Sequence, residues 1–170
     1  GVVTHGGHSY DCRSSAEMAE IAEHERASAA RAAERLRAEG FDCAMVSVGS
    51  TPTALFAEQL EGITELRAGV YVFFDLFQQA IGCCAREDLA LSVLATVISQ
   101  RAEERAVWID AGTLALSSER SLDRVGAGGY GEVTRADGSP LPGSPRVVSL
   151  NQEHGKVAAA RAAALDNLTK

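Results

Sequence analysis

Val46-Ser47-Val48-Gly49-Ser50-Thr51-Pro52-Thr53 is the stretch on which the fold turns. The apolar run from Ala44 to Val48 is short enough to be a buried, parallel-type strand. The residues after Gly49 read as a helix start. Thr51 suits the N-cap, and Pro52 suits the first helical position, where a missing N–H costs nothing. The helix is expected to reach about Glu61. A strand passing through glycine and hydroxyl residues into a helix N-terminus can bind an anion. Its end N–H groups and positive dipole point outward, and Gly49 lets a phosphate approach the backbone. An ordinary strand-to-helix turn fits the same residues, and spacing alone favours it.

On the N-terminal side, residues 1–5 are apolar enough for a buried strand. Ser14 and Glu17 form a capping box, and from there to Glu39 Met18, Ile21, Ala22, Ala29, Ala33 and Leu36 recur at helical spacing. Glu20, Glu23, Arg26, Arg31 and Arg35 supply a solvated face, and Gly40 is placed to end the helix in a left-handed cap. On the C-terminal side another strand is expected from about Thr64 to Phe74. Strands alternating with helices point to a β/α barrel or a doubly wound sheet.

After Asp75 the character changes. Leu89 to Ser99 and Arg105 to Leu116 are β-rich, with Asp110-Ala111-Gly112 kinking the second run. Gly126 to Gly131 and Gly138 to Pro145 read as loops, and Arg146 to Leu150 as a short strand. The second half is expected to be antiparallel, with a boundary near residues 76–88. Lys156 to Lys170 is alanine-rich and helix-compatible, but holds too few large apolar residues to anchor itself. It reads as a frayed end or a connection cut short.

Across 170 residues, 46% are hydrophobic, enough for a sizeable core. A net charge of −7 argues against a nucleic-acid surface. No apolar stretch approaches the roughly 20 residues of a membrane span. Residues 1–12 lack the basic start and apolar centre of a signal peptide and read like the end of a buried strand. Cys12, Cys43, Cys83 and Cys84 form no zinc-type pair, so reduced thiols in a cytoplasmic protein are expected.

Three further stretches bear on chemistry. In Glu65 to Asp75, a glycine two residues before Tyr71 could present that phenol to a phosphate, although a core aromatic fits as well. In Thr4 to Asp11, His5 and His8 lie three apart but face opposite sides of a strand, and no third metal ligand is visible. Gly126 to Gly131 follows no strand and opens no helix, so a hairpin turn is expected rather than a dinucleotide loop.

Taken together, THGGHSYD at 4–11, VSVGSTPT at 46–53, ELRAGVYVFFD at 65–75 with Gln78 and Gly82, and NQEHG at 151–155 resemble the D-serine dehydratase and D-threonine aldolase-like family. IDAG at 109–112 and GGYGEV at 128–133 fit the same pattern. The resemblance implies the alanine racemase (fold type III) architecture: α/β, with residues 1–78 the C-terminal part of a pyridoxal-phosphate-binding β/α (TIM-type) barrel. A truncated, mostly antiparallel β-rich domain would occupy 79–170. It implies a pyridoxal 5'-phosphate (PLP) lyase acting on a D-amino acid through an aldimine, assisted by a divalent metal, zinc or manganese. A racemase and a non-catalytic PLP-binding protein use the same barrel.

The resemblance further implies that Gly49, Ser50 and Thr51 hold the cofactor phosphate, that Tyr71 assists, and that Tyr10 faces the pyridine nitrogen. A homodimer in the cytoplasm is expected. The family's Schiff-base lysine would lie upstream of Gly1, since the chain's lysines are Lys156 and Lys170. Its metal-binding histidine, with a cysteine or aspartate two residues on, would lie downstream. The chain thus reads as an internal piece, unstable or aggregating on its own and inactive alone.

Overall fold

The computed structural model describes residues 1–101, 103–104 and 106–158. It divides into two compact units, Gly1–Leu91 and a second that begins at Ser92.

The first unit is built on three short parallel strands, β1 (Val2–Val3), β2 (Val46–Val48) and β3 (Glu65–Leu66), in the order β1-β2-β3. Val2 pairs with Val46 and Ser47 with Glu65. Helix α1 (Ser15–Ala38) connects the first two strands. Its start is the expected capping box: Ser14 Oγ accepts from Glu17 N–H at 3.3 Å, and Glu17 Oε2 accepts from Ser14 N–H at 3.2 Å. Gly40, at φ 86°, closes the far end, with Phe41 N–H returning to Leu36 O at 3.0 Å.

The buried stripe of α1 is Met18, Ala22, Glu25, Ala29 and Ala33. Small side chains dominate it, so the helix lies close on the sheet. Ala29 and Ala33 pack with Cys43, Val46 and Val48, with Val2 and Ile63 at the margin. Leu36, expected on this face, is exposed.

Three local expectations are corrected. Ser50, not Thr51, caps helix α2 (Thr51–Phe56): its side chain accepts from Thr53 N–H, and Thr51 Oγ1 is engaged instead by Val70 N–H at 3.1 Å. The helix stops at Phe56 rather than Glu61. Arg26 of α1 takes Glu61 O at 2.7 Å, and Glu23 takes Gln59 Nε2 at 3.1 Å, holding residues 57–62 as a loop. The strand expected over 64–74 lasts two residues. Arg67 N–H donates to Val48 O at 2.8 Å and no described strand continues the pairing, so the run beyond it leaves the sheet and Tyr71 to Phe73 are exposed. A turn closes from Phe74 N–H to Val70 O at 2.7 Å, and Asp75 then caps a short helix, α3 (Leu76–Ala80), through Gln78 N–H.

The second unit is a five-stranded antiparallel sheet, as the β-rich runs imply. Strands β4 (Val97–Arg101), β5 (Ala106–Ile109), β6 (Gly131–Glu132), β7 (Arg146–Leu150) and β8 (Gly155–Ala158) are ordered β4-β5-β8-β7-β6. Val107, Ile109, Ala111, Val147 and Val157 form its core. Lys156 to Ala158, expected within a helix, are in β8, because Val157 faces this core and pairs with both Val107 and Val147. The rest of that expected helix, 159–170, lies outside the described residues.

Candidate functional site

The residues singled out at 4–11 and 46–53 meet where β1 and β2 end. After β1 the chain makes a 3-10 turn, Gly7–Asp11, that brings Ser9 and Tyr10 to the loop between β2 and α2. Ser9 Oγ lies 2.9 Å from Ser50 Oγ, and both residues are buried. His5 Nδ1 lies 3.1 Å from Gly49 O; a carbonyl only accepts, so this nitrogen carries the proton. Tyr10 is partly buried, its ring 6.2 Å from His5 and 6.1 Å from Phe77. Burial raises its phenol above the ordinary value, a hydrogen bond from Thr51 N–H offsets part of that, and Cys83 and Asp75 push further upward. The phenol is therefore neutral at physiological pH. Its proton is therefore available to donate.

The N–H groups of the 49–53 turn, expected to be free, are engaged internally. Gly49 N–H donates to Glu25 Oε1 at 3.2 Å, Ser50 N–H to Thr53 Oγ1 at 2.9 Å, and Thr53 N–H to Ser50 Oγ at 3.3 Å. Gly49, at φ 122°, passes so near β3 that a Cβ there would stand 2.5 Å from Arg67 O. Thr51 is fully buried. Gly69, by contrast, is open: a Cβ on it would meet nothing within 4 Å. Tyr71 lies on the exposed turn beyond it, two residues on. It is not gathered into the Tyr10–Thr51 cluster by any described contact.

Three contributors have a place in the site that the sequence reading does not assign. Glu25 sits in the buried stripe of α1, and a charge inside a stripe of Met and Ala was the signal for it. Arg67 Nε donates to Ser47 Oγ at 2.9 Å and its terminal nitrogen to Thr4 O, while Ser47 Oγ donates to Glu65 Oε1, so β1, β2 and β3 share one polar network. Gln78 is buried with its side-chain oxygen unpartnered among the described residues, on the same helix as Phe77.

Among the described residues, no three His, Cys, Asp or Glu side chains gather closely enough to hold a metal ion. No helix among them is long and apolar enough to cross a membrane. Lys156 lies on β8, with Nζ 5.9 Å from the Trp108 ring centre and 3.0 Å from Glu104.

Cys83 lies beside this cluster, with Sγ 3.9 Å from Met18 Sδ. Burial, then Cys84 and Asp75, push its thiol up to about 11. At pH 8 its thiolate fraction, and hence its alkylation rate by iodoacetamide, should be about 100-fold below that of an unperturbed cysteine. Stability is linked to the same proton. The folded state keeps it longer than the unfolded chain, so this contribution is complete below the unfolded value and is lost as pH rises from about 9 toward 11. Mass spectrometry of alkylation against time would show ordinary rates at Cys83 if the burial were wrong.

The first unit's parallel strands and helices, followed by an antiparallel sheet, define an α/β protein of the alanine racemase-like type. Residues 1–76 match the alanine racemase N-terminal domain, and residues 90–169 a putative serine dehydratase domain. The chain belongs to the D-serine dehydratase and D-threonine aldolase-like family. It is 51% identical over 165 residues to the D-threo-3-hydroxyaspartate dehydratase of Delftia sp. (strain HT23), covering 96% of this chain and 43% of that protein. The solved structure of that dehydratase superposes with a TM-score of 0.88 at 48% identity, over 99% of this chain and 45% of the other. Similarity extends to the D-serine dehydratase of Dictyostelium discoideum, 35% identical over 70% of this chain and 31% of that protein. A D-threonine aldolase of Arthrobacter sp is 33% identical over 85% of this chain and 35% of the relative. The chain spans less than half the length of the curated relatives it matches.

Proposed function

We propose that the intact protein is a PLP-dependent lyase of D-amino acids, a dehydratase of the D-serine or D-3-hydroxyaspartate kind. Residues 1–78 would form the C-terminal part of its β/α barrel, and 79–170 part of the β-rich domain. The observation that carries the reading is Tyr10: a partly buried phenol, set between His5 and Phe77 beside the buried Ser9–Ser50 pair, that burial keeps protonated and so able to donate. That donor suits the nitrogen of a pyridine ring. A neutral donor leaves the nitrogen largely unprotonated, which moderates the ring as an electron sink. When bound, PLP supplies the electron withdrawal that loosens bonds at the amino acid's Cα.

The fit for the phosphate is more selective. The Gly49 and Ser50 N–H groups are committed to Glu25 and Thr53, so these two residues would shape the pocket wall. Thr51, fully buried with its hydroxyl accepting from Val70 N–H, would back the phosphate pocket beside the open Gly69, with Tyr71 two residues on assisting. His5, its proton fixed on Nδ1, would present Nε2 as an acceptor toward the bound molecules. A divalent metal, held by residues outside this chain, would assist loss of the β-hydroxyl. A homodimer in the cytoplasm completes the reading.

The test is direct. The intact protein loaded with PLP should show a visible absorbance band that shifts in Tyr10→Phe. Incubated with D-serine, D-3-hydroxyaspartate or D-threonine, it should release ammonia from the first two. Glycine from D-threonine would instead make it an aldolase, and inversion without ammonia a racemase. If PLP fails to bind at saturating concentration, the proposal is lost.

A further inference from the structure

We propose that Glu25 is the positioning residue of the candidate site, a buried carboxylate that fixes the two loops carrying Tyr10 and Thr51 relative to one another. The inference rests on the PLP reading above and names a residue that the reading does not require.

Glu25 occupies a place in the α1 stripe where an apolar side chain would complete the pattern of Met18, Ala22, Ala29 and Ala33. Burying a carboxylate there is costly unless its oxygens are hydrogen-bonded. One oxygen, Oε1, accepts from two donors on different segments: Thr4 Oγ1 at 2.9 Å, just after β1, and Gly49 N–H at 3.2 Å, just after β2. The second oxygen lies against Gly6, where an added Cβ would stand 3.0 Å away. The carboxylate is therefore enclosed by the segment leading to Tyr10 and by the turn leading to Thr51.

Its grip on Gly49 reaches further. That residue's C=O accepts from His5 Nδ1, so both polar groups of Gly49 are tied, one to the helix and one to the 4–11 segment. Thr4 likewise receives Arg67 at its carbonyl while its hydroxyl donates to Glu25. Without Glu25, Gly49 N–H and the Thr4 hydroxyl would be left as unpaired donors, and the spacing between Tyr10 and Thr51 would rest on the Ser9–Ser50 and His5–Gly49 contacts without the clamp from α1. Hydrogen bonds to a charged acceptor are the stronger kind, which suits a clamp.

The experiment uses the intact protein in three forms, wild type, Glu25→Gln and Glu25→Ala, with two measurements. Hydrogen exchange on the apo protein reads the Gly49 amide without cofactor. PLP titration, followed by absorbance, reads the site. In Glu25→Ala, exchange at Gly49 should rise at least about tenfold and the PLP dissociation constant should rise by a similar factor or more. Glu25→Gln keeps shape and one acceptor oxygen, so it should fall between the other two in both measurements. Should the alanine variant fail to fold, Glu25→Gln and Thr4→Val, which removes one donor from the other side, carry the comparison. Wild-type affinity with an unchanged spectrum in the variants overturns the proposal while leaving the PLP reading intact. Unchanged exchange at Gly49 also overturns it. A wild type that binds no PLP removes the PLP reading, and this proposal goes with it.

Discussion

Gly49→Ala is expected to destabilise the first unit by about 3–5 kcal/mol. Two costs add. At φ 122° the backbone sits where an L side chain is strained, on the order of 1–3 kcal/mol. The new Cβ would also stand 2.5 Å from Arg67 O and 2.9 Å from Arg67 N, and neither is the tip of a flexible side chain. To make room, β3 must shift from β2, which breaks Arg67 N–H to Val48 O and disturbs the Arg67 contacts with Ser47 and Thr4. Gly82→Ala is the control. Its φ is 88°, but a Cβ there meets nothing within 4 Å, so only the backbone term applies, roughly 1–2 kcal/mol. Denaturant titration of both variants separates the terms. Equal losses at the two positions would mean that Gly49 does not approach Arg67 as described.

The features legible in the sequence are those set by local chemistry. The Ser14–Glu17 capping box and the left-handed Gly40 depend on a few neighbouring residues, and both formed as read. The alternation of strands and helices, and the change to antiparallel pairing, followed from the composition of the runs. Failures came where a distant segment decided the outcome. Val70 to Phe74 has every mark of a strand, yet a strand needs a neighbour, and none among the described residues pairs with it. Thr51 and Ser50 are equal candidates for an N-cap. Val70 N–H, nineteen residues away, takes the threonine hydroxyl and leaves the cap to serine. The free N–H groups expected at Gly49 are filled by Glu25, whose oxygen arrives from a helix 24 residues back. His5, which has no partner legible in the sequence, turns its ring to Gly49 O, 44 residues on.

In the second unit, the stretches IDAG and NQEHG turn out to be two halves of one contact, and a substitution there should be as damaging as Gly49→Ala. Residues 151–154 form the tight turn between β7 and β8: Asn151 Oδ1 accepts from His154 N–H at 2.7 Å, and Asn151 N–H donates to His154 O at 3.0 Å. Gly112 lies directly against that turn. A Cβ on it would stand 2.5 Å from Asn151 O, Gln152 O and Glu153 C, while Thr113 N–H donates to Asn151 O at 2.9 Å just beyond. Gly155 faces back the same way, its Cβ position 2.6 Å from Ala111 O. Gly112→Ala must therefore lift the turn off the 110–114 segment and pull Ala111 from the core, at a cost of about 3–5 kcal/mol. Gly138→Ala, at φ 82° with open space around it, should lose roughly 1–2 kcal/mol. Because Gly112 and Gly155 protect one interface, the double variant should lose clearly less than the sum of the singles. Strictly additive losses, or a Gly112→Ala no worse than Gly138→Ala, would show that the two stretches do not act as a unit.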